Sequence, residues 1–150
     1  MRTSEKAEYR NGKFTVSTDR TRLDLDLVHG YLKDCYWAQG IPREVFVRSI
    51  KNSLCFGLYA SNGQIGFARV ITDFATYAYL GDVFVLDAFR GLGLAKWLMD
   101  SCAILACRVC GAGAWSLATP TAFTPDSALR RWRRRSDGWR FTTRTSISLK

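Results

Sequence analysis

Apolar and polar positions recur with periods that predict a succession of strands and helices along the chain. We expect a first strand at Lys13–Ser17, followed by a helix that begins at Asp24 or Asp26 and ends near Tyr36. One face of this helix is apolar because its apolar residues recur every three or four positions, at Leu25, Val28, Leu32 and Cys35.

The middle of the chain predicts a second helix and then a hairpin of strands. Pro42 suits the first turn of that helix, the buried side of which would carry Val47 and Ile50. Leu54–Ala60 and Gln64–Ile71 are apolar runs separated by Asn62-Gly63, a dipeptide that favours a tight turn between antiparallel strands. We therefore predict two neighbouring strands here.

The stretch from Asp82 to Ala95 connects a strand to the longest helix. The strand, predicted over Tyr77–Leu86, ends in an apolar, β-favouring run and is interrupted at Asp87 and Ala88. A loop with two glycines follows, and the amphipathic helix after it continues to about Cys110. A last strand is predicted at Ala114–Ala118. We expect one α/β (α+β) domain over residues 1–150.

The glycine loop before the long helix is a candidate anion site. The first backbone amides of a helix lack intrahelical acceptors, and the positive end of the helix dipole lies beside them. Arg90 adds a positive charge. Two nucleotide-binding motifs do not fit, because a Rossmann fingerprint needs glycine at Lys96 and a P-loop needs Gly-Lys-Ser/Thr there. A plain helix start with glycines for tight packing is the structural alternative.

Composition describes an ordinary globular protein: 150 residues, 47% hydrophobic and 23% charged. No apolar run approaches the roughly 20 residues of a membrane span, and no secretory signal is visible at the polar N-terminus. Five cysteines, an odd number, indicate reduced thiols in the cytoplasm. Cys107-x-x-Cys110 lacks a second pair, and the single histidine, His29, is distant, so we expect no metal site.

The motif Arg90-x-x-Gly93-x-Ala95 resembles the R/Q-x-x-G-x-G/A signature of the GCN5-related N-acetyltransferases, the GNAT family. The predicted element order agrees with this family. Other segments, spread from about Asp24 to Thr119, are similar to a bacterial subgroup of small GNAT enzymes, among them His29-Gly30-Tyr31-Leu32, Tyr36-Trp37, Cys55-Phe56-Gly57-Leu58 and Gly66-Phe67-Ala68-Arg69-Val70. The resemblance implies an acyl-CoA N-acyltransferase fold, a mixed, mainly antiparallel sheet flanked by helices.

The resemblance also implies a cofactor and the residues that would hold it. The co-substrate would be acetyl-CoA, with its diphosphate on the loop amides and its thioester beside the main chain of a strand. Residues 13–119 would carry this family-like region. The implied cofactor-binding residues are Phe84 and Val85 on the strand and Arg90, Gly91, Leu92, Gly93, Leu94 and Ala95 in the loop and helix start.

Asp82 is the first candidate for the general base that deprotonates the acceptor, directly or through water. It precedes the loop on the same strand, but strand alternation leaves its face open, and a structural hydrogen-bonding role is the alternative. The implied reaction is direct attack of a primary amine, on a small molecule or a peptide, in a ternary complex. A homodimer is also compatible with the resemblance.

The segment from 120 to 150 departs from the family pattern. Arg130–Lys150 holds eight basic residues and one acid, so it carries +7 of the net charge of +9. The family's terminal strands and the tyrosine that protonates the leaving thiolate are not recognisable here; the sequence resembles a disordered or poorly packed segment. A shifted reading frame from Pro120 would restore a G-L-Y-x-x-x-G-F motif, so we predict a frameshift and weak catalysis for the chain as written.

Two other functions follow from the same sequence. The arginines around Trp132 and Trp139 could bind single-stranded nucleic acid through charge and stacking. Nucleic acid is nevertheless not expected as a partner, because the charge is confined to the anomalous segment. A non-catalytic acyl-CoA-binding protein is the other alternative.

Overall fold

The computed structural model describes residues 6–110, 114–117, 132–135 and 138–141. Six strands form one sheet in chain order, with antiparallel neighbours up to the fifth strand and a parallel pair between the fifth and sixth. These strands are β1 Glu8–Asn11, β2 Phe14–Ser17, β3 Leu54–Ala60, β4 Gly63–Thr72, β5 Tyr77–Val85 and β6 Ala114–Leu117. The helices are α1 Leu25–Leu32, α2 Arg43–Lys51 and α3 Leu94–Cys110.

Each face of the sheet has its own apolar core. On one face, α3 packs its buried stripe, Leu94, Leu98, Cys102, Leu105 and Ala106, against the strands. On the other face, α1 and α2 pack against Cys55, Phe67 and Phe84 through Val28, Leu32, Phe46 and Ile50. A sheet covered on both faces by helices confirms the predicted α/β (α+β) class of fold.

The first helix is shorter than predicted. Asp24 is its N-cap, with a carboxylate oxygen that accepts from the amides of Asp26 and Leu27 at 3.1 and 2.9 Å. The helix ends at Leu32 rather than near Tyr36. The chain then continues through turns to Gly40, which has the left-handed φ of 68° that favours glycine. These turns place Tyr36 and Trp37 on a loop.

An additional strand precedes the predicted first one. β1 pairs with β2 from Glu8↔Ser17 to Asn11↔Phe14, and the hairpin turns at Gly12 with φ 57°. The Asn11-Gly12 dipeptide is a turn signal of the same kind as Asn62-Gly63.

In the C-terminal segment, where the sequence resembles a disordered or poorly packed segment, the structure describes two short strands. The strands β7, Trp132–Arg135, and β8, Gly138–Phe141, pair antiparallel in a separate two-stranded sheet. The remaining residues of 118–150 lie outside the described part of the chain, as do 1–5 and 111–113. No described helix is both long and apolar enough to cross a membrane.

Candidate active site

The loop between β5 and α3 adopts the conformation that its glycines allow. Gly91 and Gly93 have φ values of 79° and 73°, and both are exposed, with no atom within 4 Å of the position that a Cβ would occupy. The carbonyl of Gly93 accepts from the amide of Trp97 at 3.1 Å, so Gly93 is the N-cap of α3. The first amides of the 17-residue helix α3 therefore follow exposed glycine backbone, an arrangement that suits a bound anion.

Arg90 is held at the rim of this loop. Its Nη2 is 2.8 Å from a carboxylate oxygen of Asp87 and donates to the hydroxyl of Tyr31 at 3.1 Å. The Tyr31 ring lies parallel to the ring of Phe84, with centroids 3.8 Å apart. Tyr31 thus connects the loop to the buried end of β5. Sequence reasoning did not identify this residue as functional, although it lies in a family-like segment.

Within the described residues, the pairing of β5 with β6 ends before Phe84 and Val85. β6 pairs with β5 only from Tyr77↔Ala114 to Leu80↔Leu117. Phe84 and Val85 pair with Phe67 and Gly66 of β4 on the other side. Within the described ranges, no strand neighbours the last residues of β5 on the β6 side. The carbonyl of Val85 accepts from Nε of Arg90 at 3.4 Å, so the end of β5 contacts the glycine loop at the position expected for the thioester.

A β-bulge fixes the position of Asp82. Between the pairs Phe67↔Phe84 and Arg69↔Gly81, one residue of β4 lies opposite two residues of β5, Asp82 and Val83. Asp82 has a left-handed φ of 53°, which aspartate tolerates better than most residues. The extra residue changes the alternation of side chains along the strand.

The consequence of the bulge is visible in the two cores. Leu80 and Val85 belong to the core beneath α3, and Val83 packs against it. Phe84 belongs to the core beneath α1 and α2, and Asp82 shares that side of the sheet. The bulge therefore decides the question that simple alternation left open: Asp82 faces the α1 and α2 side.

Asp82 forms an ion pair with Arg69 of β4. The Nε atom of Arg69 donates to Oδ2 of Asp82 at 2.6 Å, and Nη1 donates to the Ser53 hydroxyl at 3.2 Å. The two side chains are mostly buried, with 17% and 14% of their surface exposed. Opposite charges this close and this buried hold each other in place. The arginine was not predicted as part of the site.

A pocket of about 450 Å³ opens above this ion pair. The loop between α1 and α2 provides one wall, and α2 provides another. The lining is mixed: besides Arg69 and Asp82 it contains the polar Gln39 and Ser49, the aromatic Tyr36, Trp37 and Phe46, and the aliphatic Leu32, Ala38 and Ile41. The volume lies in the range of small-molecule sites.

The two cysteines nearest this region are not good nucleophiles. Burial raises the pKa of the Cys55 thiol to about 12. Burial, followed by the negative charges of Asp82 and Asp34, raises the pKa of the half-buried Cys35. Since thiolate is the reactive form, covalent catalysis by either residue is disfavoured. The side chains of Cys107 and Cys110 lie outside the described part of the chain, and so does the prediction of no metal between them.

Comparison with known proteins assigns the chain to a family, and the matched region includes the glycine loop. The family model described as the acetyltransferase (GNAT) domain matches residues 51–132, which include β3, β4, β5, the glycine loop and α3. The chain belongs to the GNAT family of acetyltransferases. This confirms the resemblance inferred from the loop motif, and with it the enzyme class, an N-acetyltransferase.

Individual relatives support the GNAT assignment. A GNAT-family protein from Xanthomonas campestris pv. campestris is 42% identical, with a TM-score of 0.67, and the match covers 81% of this chain and 92% of that chain. A Deinococcus radiodurans structure is 17% identical with a TM-score of 0.59, over 92% and 94% of the two chains, and shows the shared fold alone.

A protein of Gibberella zeae named as an acetyltransferase is 31% identical over 109 residues. The match covers 59% of this chain, and the chain spans 62% of the length of that relative.

Proposed function

We propose that this GNAT protein transfers an acetyl group from acetyl-CoA to a primary amine by direct attack within a ternary complex. The observation that carries the proposal is the joint placement of two features at the end of β5. The open, left-handed glycine loop lies at the start of α3, and the strand edge at Phe84 and Val85 lies beside it. The glycine loop suits the diphosphate of the cofactor, and the strand edge suits the arm that carries the thioester.

The residues present fit this cofactor. Loop amides from Gly91 to Ala95, with Arg90 at the rim, would hold the diphosphate through charge-assisted hydrogen bonds. A main-chain amide at Phe84 or Val85 would stabilise the oxyanion that forms on the acetyl carbonyl. When bound, the cofactor supplies the activated acetyl group.

The pocket above Asp82 would hold the acceptor. An ammonium group must lose a proton before its nitrogen attacks the carbonyl carbon, and the Asp82 carboxylate is the proposed acceptor of that proton, directly or through water. The new C–N bond then forms and the C–S bond breaks, and the second proton lost by the acylated nitrogen passes to the leaving thiolate, which departs as CoA-SH. Arg69 would keep the Asp82 carboxylate aimed at the pocket floor through the ion pair.

Calorimetry with acetyl-CoA tests the proposal. We expect saturable heat for the parent chain and none for Gly93→Glu, because a carboxylate placed among the loop amides repels a diphosphate and a side chain at this φ is strained. Gly12→Glu is the matched control, since Gly12 also has a positive φ but lies in the β1–β2 turn. No heat with the parent, or equal heat with Gly93→Glu, would overturn the assignment.

We also propose that residues 1–150 form one acetyltransferase domain. The frameshift in 120–150 and the weaker catalysis expected from it remain predictions. Resequencing the coding DNA addresses the first, and an intact frame through codon 119 would refute it. Comparing kcat for the chain as written and the chain with the restored G-L-Y-x-x-x-G-F motif addresses the second. Cytoplasmic location, homodimer formation and nucleic-acid binding by the arginine-rich segment also remain predictions.

A further inference from the structure

The loop between α1 and α2 exposes two adjacent aromatic side chains at the pocket. Tyr36 is 64% exposed and Trp37 37% exposed, and their rings meet edge to face with centroids 5.1 Å apart. Two adjacent exposed rings offer a large, rigid contact area that suits a bound ligand. Both rings line the same cavity as Asp82, so the ligand of that cavity would also cover them.

The charge of the lining limits what that ligand is. Among the described lining residues, Arg69 and Asp82 carry charge, and they neutralise each other at 2.6 Å. Asp82 can receive one ammonium group at the floor. A second or third ammonium on the same molecule would find no free counter-ion among the lining residues that the structure describes. Polycationic acceptors are thus disfavoured.

The remaining walls favour an apolar body behind the amine. Leu32 and Phe46 are buried beneath the pocket, so the apolar surface open to a ligand comes from Tyr36, Trp37, Ala38 and Ile41. An aromatic ring entering the pocket would stack on or abut Trp37 while its short side arm carries the ammonium toward Asp82. During entry the same indole face attracts the cation.

We propose that the acceptor is a monoamine with an apolar, ring-containing body, of the arylalkylamine class, and that Trp37 is the residue that selects it. The inference rests on the proposed acetyl transfer and specifies its second substrate. Trp37 contacts the body of the acceptor, and Asp82 receives its ammonium proton.

The test is an acceptor panel at saturating acetyl-CoA, made of 2-phenylethylamine, spermidine and a lysine-containing peptide. We expect kcat/KM for 2-phenylethylamine to exceed that for each of the other two by at least about tenfold. Spermidine or the peptide as the preferred substrate would overturn the assigned class. So would acetylation of all three at similar efficiency.

Variants of the loop give a second, independent readout. Trp37→Ala should raise KM for 2-phenylethylamine about tenfold and leave the KM for acetyl-CoA within twofold, whereas Trp37→Phe should recover most of the loss. Ile104→Ala is the matched control, since Ile104 is 39% exposed on α3, outside the pocket lining. An unchanged acceptor KM in Trp37→Ala would refute the role of the indole.

Calorimetry separates failure of this inference from failure of the proposed function. If acetyl-CoA binds the same preparation but a polyamine is preferred, only the acceptor class is wrong. If acetyl-CoA does not bind, the proposed transfer itself is wrong, and the acceptor class falls with it.

Discussion

The guanidinium of Arg90 donates a hydrogen bond to the hydroxyl of Tyr31 across 59 positions of sequence, at 3.1 Å. The same phenol ring stacks on Phe84. One side chain of α1 therefore contacts both the loop proposed for the diphosphate and the strand proposed for the thioester. In the proposed function Tyr31 would be a positioning residue, since it contacts Arg90 and Phe84.

Removing the hydroxyl alone should loosen the loop without disturbing the ring stack. For Tyr31→Phe we expect Kd for acetyl-CoA to rise by about twofold to tenfold, which corresponds to one hydrogen bond of roughly 0.5–1.5 kcal/mol. The kcat should change much less. Calorimetry and steady-state kinetics measure both, with Tyr79→Phe as a control that removes a hydroxyl from β5. Equal weakening in both variants would contradict the coupling.

Asp82→Asn separates a proton acceptor from a structural ion-pair partner. We expect kcat to fall by about 10²–10⁴, the usual contribution of a general base, with the Kd for acetyl-CoA unchanged. The Arg69 guanidinium loses its counter-charge, so the free energy of unfolding should also fall by about 1–3 kcal/mol.

Asp100→Asn is the matched control for Asp82→Asn, because Asp100 is ion-paired with Lys96 at 2.9 Å on α3, away from the pocket. A kcat for Asp82→Asn within about threefold of the parent would assign Asp82 a structural role.

Replacing glycine by alanine should have opposite effects on the free energy of unfolding at Gly66 and at Gly30. A Cβ at Gly66 would lie 2.8 Å from the carbonyl oxygen of Phe84, so the backbone of the β4–β5 pair must shift, and we expect Gly66→Ala to cost about 1–3 kcal/mol. Gly30 lies inside α1 with nothing within 4 Å, so Gly30→Ala should be neutral or stabilise by up to about 1 kcal/mol. Thermal or urea unfolding gives both values.

The Gly66 substitution also tests the thioester site. Because its strain falls on the Phe84 carbonyl, Gly66→Ala should weaken acetyl-CoA binding, whereas Gly30→Ala should not. Destabilisation of Gly30→Ala beyond that of Gly66→Ala would contradict this packing of the β4–β5 pair.

Acid should destabilise the N-terminal hairpin region through Asp19. The Lys6 ammonium, followed by the hydroxyl and amide of Thr21, lowers the pKa of Asp19 from 3.8 to about 2. A carboxyl with a depressed folded-state pKa stabilises the protein above the unfolded value, and this contribution is lost as the pH falls from about 4 to about 2. Asp19→Asn should therefore be less stable than the parent at pH 7.

The difference in melting temperature between parent and Asp19→Asn should shrink as the pH approaches 2. Thermal scans across that range measure it. A constant difference would show that the effect of the substitution does not come from the charge.

Local sequence carried the prediction of the loop and of the long helix. Glycine is needed at Gly91 and Gly93 because both adopt left-handed φ, and the apolar stripe of α3 is continuous from Leu94. The strand Leu54–Ala60 is found as predicted because its run is apolar and bounded by turns. These features depend on residues close in sequence, and hydrophobic periodicity and turn residues predict such local structure well.

The site itself depended on relationships that no local pattern contains. The pairing of Arg69 with Asp82 joins two strands, and nothing near either residue specifies it. The early end of α1 follows from the turns that return the chain to Gly40, where tertiary packing overrides helical spacing. The dipeptide Gly81-Asp82 weakly indicates the bulge, since aspartate tolerates the left-handed backbone conformation.

The extra residue in β5 makes the length of this strand as important as its composition. Deleting Val83 would remove the bulge, restore simple alternation along β5 and turn the Asp82 carboxylate toward the core beneath α3. The described residues of that core are apolar and include no guanidinium that could pair with it. Exchanges of side chain at neighbouring positions leave that phase intact. We therefore expect β5 to tolerate many substitutions. The insertion or deletion of one residue there should instead move the Asp82 carboxylate to the opposite face of the sheet, away from the acceptor pocket.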